Sequence, residues 1–266
     1  PEWYVMFYIR YRTSIWKIRK NSWGVDKIMK VLGIDTSSLA TSVAVIEDNK
    51  LICEYTINTK KTHSQKLMPM IENMLNISDL NINEIDLIAV CEGPGSFTGL
   101  RIAMATAKAI AHVNNLPIVG VNSVELLAGN MNLCDKKICS ILDAQRTQVY
   151  MGQYKFENNR LVELKGVDVV EIDELIEELK NTNEEWIIVG EAVYKYEDKI
   201  KDISNIHVPA PSHNVSKASS LCSIAIEKYN NNIDVYDCYS INPLYIRKSQ
   251  AEVQYDEKMK RLNDGK

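Results

Sequence analysis

The chain has 266 residues, 45% of them hydrophobic and 25% charged, with a net charge of −4. That length can bury a sizeable core and accommodates two lobes as readily as one domain. The negative balance argues against a broad electrostatic affinity for nucleic acid while leaving room for a local basic patch. No apolar run reaches the eighteen residues that a membrane helix requires. The six cysteines at irregular spacings read as cytosolic thiols rather than a disulfide framework, so a cytoplasmic protein is expected.

Residues 1–28 differ from the rest. They hold six Lys/Arg against Glu2 and Asp26, a net +4 that leaves −8 for Met29 to Lys266. Aromatics crowd the segment, among them Trp3, Tyr4, Phe7, Trp16 and Trp23. Basic residues between aromatics suit a membrane surface or nucleic acid. They suit equally an appended segment ahead of a natural start at Met29, and they lack the apolar core of a signal peptide.

From Lys30 the pattern is regular. Val31 to Ile34 reads as a buried strand entering Asp35-Thr36-Ser37-Ser38. Ala40 to Glu47 and Lys50 to Ile57 follow as strands about a turn at Asp48-Asn49, which predicts an antiparallel meander. His63 to Asn76 reads as a helix with Leu67, Met68, Ile71, Met74 and Leu75 on an apolar stripe and Pro69 in its early turns. Asp86 to Val90 is the next strand, Thr98 to Val113 the next helix, Leu116 to Val121 a further strand, and Val124 to Ala128 helical.

The order then restarts. Ile138 to Leu142 ends in Asp143 as Val31 to Ile34 ends in Asp35. Val149 to Phe156 and Leu161 to Val167 are strands, Ile172 to Leu179 a helix, and Trp186 to Val189 a strand meeting Gly190-Glu191. This diffuse duplication predicts two related lobes of mixed sheet flanked by helices, with Asp35 and Asp143 beside a common cleft. The expected divisions are an extension over 1–28, a first lobe over 29–133 and a second lobe with tail over 134–266. Ser216 to Tyr229 reads as a late helix and Pro243 to Ile246 as a closing strand or extended tail.

The run Gly93-Pro94-Gly95-Ser96-Phe97-Thr98-Gly99-Leu100-Arg101 carries the chemistry question. Its glycines permit tight turns and close approach of a ligand, and the amides opening the next helix have no intrahelical partner. A usual phosphate-binding loop needs a lysine after its last glycine. Here Leu100-Arg101 follows, and the nearest lysine is Lys108. Two readings stay open: a contact for phosphate or nucleotide, and a ligand-free connection for close packing. Asp35, Thr36 and Ser37 with Gly93, Gly95, Ser96, Gly99 and Asp143 are the candidate nucleotide or phosphate contacts. A carboxylate after a buried strand can orient Mg²⁺ with a nucleotide, or cap a turn. The four histidines and six cysteines lack metal-ligand spacing. Ser38 and Ser96 have no partner base.

The segments Val31 to Ser38, His63-Ser64, Gly93 to Arg101, Gly120 to Ser123, Asp143 to Arg146 and Pro243 to Arg247 together resemble the TsaB (YeaZ) family. The resemblance covers Met29 to about Gln254. It implies the actin/sugar-kinase/Hsp70 ATPase-like (ASKHA) fold and a non-catalytic paralogue of TsaD. TsaD-like proteins transfer threonylcarbamoyl to N6 of adenosine 37 in ANN-decoding tRNAs, and bind a metal through two histidines four residues apart. At the matching positions this chain has Ser123 and Leu127, so the resemblance implies loss of that metal site and no catalytic residues. It further implies binding to TsaD through the helices His63–Asn76 and Thr98–Val113, with TsaE joining through ATP, tRNA met only through the complex, and a homodimer when TsaD is absent.

Expected interface residues are Met68, Ile71, Met74, Leu75, Thr98, Arg101, Ala105 and Lys108. The alanines of the second helix allow close approach of a partner. No firmly bound cofactor is expected beyond weak ATP or ADP with Mg²⁺. The alternative is an independent nucleotide-dependent kinase or ATPase built on Asp35, the glycine run and Asp143. A protease of the M22 type is a third reading, weakened by the missing histidine pair.

Overall fold

A computed structural model describes residues 28–59, 62–132 and 134–247. The reading of an N-terminal extension lies outside the described residues, apart from Ile28.

Two sheets organise the molecule. The first is built on β1 (Lys30–Asp35), β2 (Ala40–Glu47), β3 (Lys50–Asn58), β4 (Leu87–Gly93) and β5 (Ile118–Asn122), in the order β5-β4-β1-β2-β3. β1, β2 and β3 form the expected antiparallel meander, and β1, β4 and β5 run parallel. The second sheet uses β6 (Lys137–Asp143), β7 (Gln148–Glu157), β8 (Arg160–Glu171), β9 (Trp186–Val189) and β10 (Ile206–His207), in the order β10-β9-β6-β7-β8. Its meander and parallel pairs repeat those of the first. This duplicated order is the two-lobed, mixed-sheet architecture read from the sequence.

Strand alternation sets what covers each face. In the first sheet Leu32, Ile34, Val43 and Val45 point to a core shared with α1 (His63–Ile77) and α2 (Phe97–Asn114). Leu67, Met70, Ile71 and Met74 of α1, with Ala103, Met104 and Ala107 of α2, fill it. Burying an aliphatic side chain of this size contributes about 1.5–3 kcal/mol. Val31, Ala44, Leu87, Ala89 and Val119 face the other way, toward α3 (Ser123–Gly129) and the late helix. In the second sheet Ile141, Val149, Met151 and Ile188 pack on α4 (Ile172–Lys180) and on the short α5 (Ala192–Lys195) and α6 (Glu197–Ile200).

The chain after 217 departs from the sequence division at 133/134. The late helix, α7 (Ala218–Asn230), packs on the first sheet, and β11 (Val235–Tyr236) pairs with β5 as that sheet's sixth strand. Gly33 permits the approach, since a Cβ there would meet Cys222 Sγ at 2.6 Å and the Ala218 carbonyl at 2.7 Å. Pro243 to Ile246 is the extended tail of the two forms expected.

α3 joins the lobes. Leu126 enters the cluster beneath the first sheet, whereas Val124, Leu127 and Ala128 pack with Ile138, Leu142, Tyr154 and Val189 of the second.

Candidate functional site: two loops at the lobe junction and an exposed helix face

The loop after β1 and the glycine run after β4 are bonded to each other. The Thr36 hydroxyl donates to the Gly99 carbonyl at 2.6 Å, and the Ser96 amide donates to the Ser37 carbonyl at 2.7 Å. A Cβ on Gly95 would stand 2.2 Å from the Ser37 carbonyl oxygen, and one on Gly99 1.9 Å from that of Thr36. These glycines therefore let two backbones touch. The Ser96 side chain caps α2 by accepting from the Gly99 amide at 3.2 Å. Two amides that a phosphate would need are thus already engaged.

Asp35 is fully buried. Its Oδ1 accepts from the Ser37 amide at 2.9 Å. Its Oδ2 faces the Ser37 and Ser216 hydroxyls and the Cys91 thiol without a well-formed hydrogen bond to any. Burial raises its pKa above the usual carboxylate range, and the bond from Ser37 opposes that only in part. Burial likewise pushes the Cys91 thiol well up.

Asp143 has a different setting. It is exposed and pairs with Lys195 Nζ at 2.8 Å, the same ammonium that donates to the Arg146 carbonyl. Gln145 and Arg146 take left-handed φ of 70° and 55° in the turn that follows. Glu191, half-buried, stands within the field of both aspartates and accepts from the Leu39 amide; burial is the main cause of its raised pKa. Both aspartates thus act on a third carboxylate, and Asp35 is sealed from solvent. Asp35, Thr36, Ser37, Gly95, Ser96 and Gly99 are brought together, while Asp143 is bonded instead to Lys195 and the Gln145 amide.

Gly93 has a role other than ligand approach. Its φ is +114°, and a Cβ would meet the Leu244 carbonyl oxygen at 2.9 Å. The C-terminal tail passes there.

Ser123 and Leu127 open and nearly close α3. Both are buried: the Ser123 hydroxyl donates to the Pro94 carbonyl, and Leu127 packs among Ile138, Leu142 and Val189. A hydroxyl committed to the main chain and an alkyl group in a core do not fit the two imidazole donors of a metal-binding TsaD-like protein. Among the described residues no three His, Cys, Asp or Glu gather with metal-ligand geometry. All six cysteines are free thiols, and no described helix is long and apolar enough to cross a membrane.

The helix stripe read from the sequence divides. Ile71, Met74 and Leu75 are core residues, because the sheet beneath α1 claims that side. They are corrected from interface to core. Met68 is 52% exposed on the opposite side of the helix. On the adjoining α2, Thr98, Arg101 and Ala105 are exposed and Lys108 is half-buried. Phe97 and Tyr245, which sequence reasoning left without a role, stack with ring centroids 4.4 Å apart and planes within 2°, and Arg101 Nε donates to the Tyr245 hydroxyl at 3.0 Å. Their only signal in the sequence is that each lies in a segment that carries the family resemblance.

Known proteins agree with this geometry. A protein-family model described as TsaD, tRNA N6-adenosine threonylcarbamoyltransferase, matches residues 50–255. The chain is 32% identical over 235 residues to the tRNA threonylcarbamoyladenosine biosynthesis protein TsaB of Bacillus subtilis, covering 87% of this chain and all of that one. It is 28% identical to the TsaB of Escherichia coli K12, over 61% of this chain and 71% of that protein. The solved structure of YeaZ from Pseudomonas aeruginosa superposes with a TM-score of 0.70 at 21% identity, covering 82% of this chain and all of that one. The two lobes and the family-model match place the chain in the TsaD-like class, with Ser123 and Leu127 on α3. The chain belongs to the TsaB family.

Proposed function

We propose that the protein binds and supports TsaD, together with TsaE, in the transfer of threonylcarbamoyl to N6 of adenosine 37 of ANN-decoding tRNAs. Within that assembly it contributes surface rather than chemistry. The observation that carries this reading is Leu127 in the core, with Ser123 bound to the Pro94 carbonyl, where a catalytic relative needs metal donors. The partner face is the solvent side of α1 and α2, with Met68, Thr98, Arg101, Ala105 and Lys108 as its residues. Adjoining helices with an exposed methionine and small side chains suit the packing of a second helix pair. The same face serves a homodimer when TsaD is absent, tRNA is met through the complex, and the setting is the cytoplasm. Any ATP or ADP with Mg²⁺ is held weakly at the lobe junction, since the amides of Ser96 and Gly99 and the carboxyl of Asp35 already have protein partners or are sealed. That engagement also disfavours the independent kinase or ATPase reading.

Reconstitution tests the function. Purified TsaD, TsaE and this protein, with threonylcarbamoyl-adenylate, ATP, Mg²⁺ and substrate tRNA, are expected to modify tRNA over repeated turnovers. Unchanged turnover without this chain would sink the reading. Met68→Glu and Ala105→Glu are expected to keep wild-type melting temperatures and to lose co-purification with TsaD. Met74→Glu instead places an unpaired carboxylate in the core and is expected to destabilise the fold by more than about 4 kcal/mol.

A further inference from the structure

The tail over residues 237–247 runs along α2 and then leaves it for the second lobe. Near the C-terminal end of α2 the Tyr239 hydroxyl meets His112 Nδ1 at 3.1 Å, with the two rings edge to face. Ile241 then inserts fully into the core beneath α1 and α2. At the other end of α2, the Leu244 amide donates to the Glu92 carbonyl at 2.7 Å, and the Tyr245 ring lies flat on Phe97 with the Arg101 guanidinium beside both. The next two residues belong to the other lobe. Ile246 packs with the cluster of Leu142, Tyr150 and Val189, and Arg247 Nη1 donates to the Ala144 carbonyl at the end of β6.

Four consecutive residues, Leu244 to Arg247, therefore tie the first turn of α2 to the β6–β7 turn. We propose that residues 244–247 are an interlobe clasp, and that the clasped arrangement is the one the partner face presents. The partner half of this inference rests on the function proposed above. The physical basis is that Phe97 and Arg101 lie on the helix whose solvent side carries Thr98 and Ala105. A stacked aromatic pair holds its members by more than area alone, and the Arg101 guanidinium beside it adds a hydrogen bond to the Tyr245 hydroxyl. Extended backbone by itself has no ladder to hold it, so these side chains fix the crossing. Gly93 makes room for the crossing at the Leu244 carbonyl, which gives the first glycine of the run a reason unconnected with phosphate. A partner that prefers the clasped form gains affinity from any change that populates it.

The test uses the full chain and three variants: Tyr245→Ala, Tyr245→Phe and Arg247→Ala. Two readouts are taken, amide hydrogen exchange over peptides spanning 93–101 and 143–150, and the Kd for purified TsaD. Arg247 touches the second lobe, so Arg247→Ala is expected to speed exchange in 93–101 as well as in 143–150, and to weaken TsaD binding about tenfold. Tyr245→Ala is expected to do the same, and Tyr245→Phe, which keeps the stack, to restore both towards wild type. Unchanged exchange in 93–101 for Arg247→Ala would overturn the clasp. Faster exchange with an unchanged Kd would overturn its link to the partner face. Wild-type protein that fails to bind TsaD would overturn the parent reading instead, while the exchange data would still judge the clasp.

Discussion

In the first lobe the helix after the meander runs fifteen residues and the helix after the first parallel strand eighteen; their counterparts in the second lobe run nine and four. Strand order and pairing are otherwise repeated. Both parallel strands even lead into a glycine with positive φ, Gly93 at +114° and Gly190 at +124°. The lobes differ in what their helices do beyond covering a sheet. α4 and α5 bury one stripe each and stop. α1 and α2 continue past that need and carry Met68, Ala105 and Val113 into solvent. The same fold occurs twice, and only the first copy carries long helices with apolar side chains in solvent. The strand-end aspartates diverge in the same way, with Asp35 sealed in the junction and Asp143 left in water with Lys195.

The comparison can be broken first at the glycines. In the first lobe a Cβ at Gly99 would overlap the Thr36 carbonyl, main chain that cannot step aside. Gly99→Ala is expected to destabilise by on the order of 3 kcal/mol, as for an overpacked core position. Gly166 in the second lobe meets only the Glu163 carboxylate at 3.1 Å, the end of a flexible side chain. Gly166→Ala is expected to change stability by less than about 0.5 kcal/mol. Urea denaturation of both variants measures the contrast. Equal losses would show that loop-to-loop contact is not what sets the first lobe apart.

A second contrast lies at Glu92, the penultimate residue of β4. Its carboxyl is pushed up to about 7, chiefly by burial and then by Asp234, with Glu125 adding and Lys228 opposing. Lys228 Nζ is shared at 2.7 Å with Glu125 and 3.0 Å with Asp234, so it neutralises Glu92 poorly. A carboxyl with a raised folded pKa contributes most below its unfolded value of about 4.5, and that contribution is lost as pH rises through 7. The wild type is therefore expected to lose roughly 2 kcal/mol between pH 5 and pH 8 relative to Glu92→Gln. Parallel urea curves for the two proteins across that range would refute the assignment.

Much of this is legible in the sequence. Apolar runs bounded by Asp, Asn and Gly located nine strands, because a buried strand and its turn leave local marks. The repeat of a strand ending in aspartate announced the second lobe. What escaped depends on contacts between distant segments. Met68 and Met74 are chemically alike, and only the sheet beneath the helix decides which is core. β10 and β11 are two residues each and carry no periodicity. The sealing of Asp35 needs Ser216 from the far end of the chain, and the stack of Tyr245 on Phe97 needs a tail whose sequence reads only as extended. The glycine run misled for the same reason: glycines that admit a ligand and glycines that admit another backbone are spelled alike.

Small effects are expected from the aspartates themselves, and they differ in sign. Asp143→Asn breaks an ion pair whose two side chains are 40% and 41% exposed. Exposed pairs of this kind contribute less than about 1 kcal/mol and are screened by salt, so the loss should be slight and should fade at high ionic strength. Asp35→Asn acts on a carboxyl that burial holds above its ordinary pKa. Ionising that group as pH rises is unfavourable in the fold, and an amide cannot ionise. The amide keeps an oxygen for the Ser37 N–H and offers a donor to hydroxyls that now lack a partner. The variant is therefore expected to melt at or above the wild-type temperature at pH 8, with the gap closing towards pH 5, and to keep its affinity for TsaD. A nucleotide site built on an ionised Asp35 requires the reverse, with nucleotide-dependent stabilisation of the wild type lost in Asp35→Asn. Differential scanning fluorimetry at both pH values, with and without ADP and Mg²⁺, separates the two: nucleotide raising the melting temperature of the wild type alone would return Asp35 to a ligand's service.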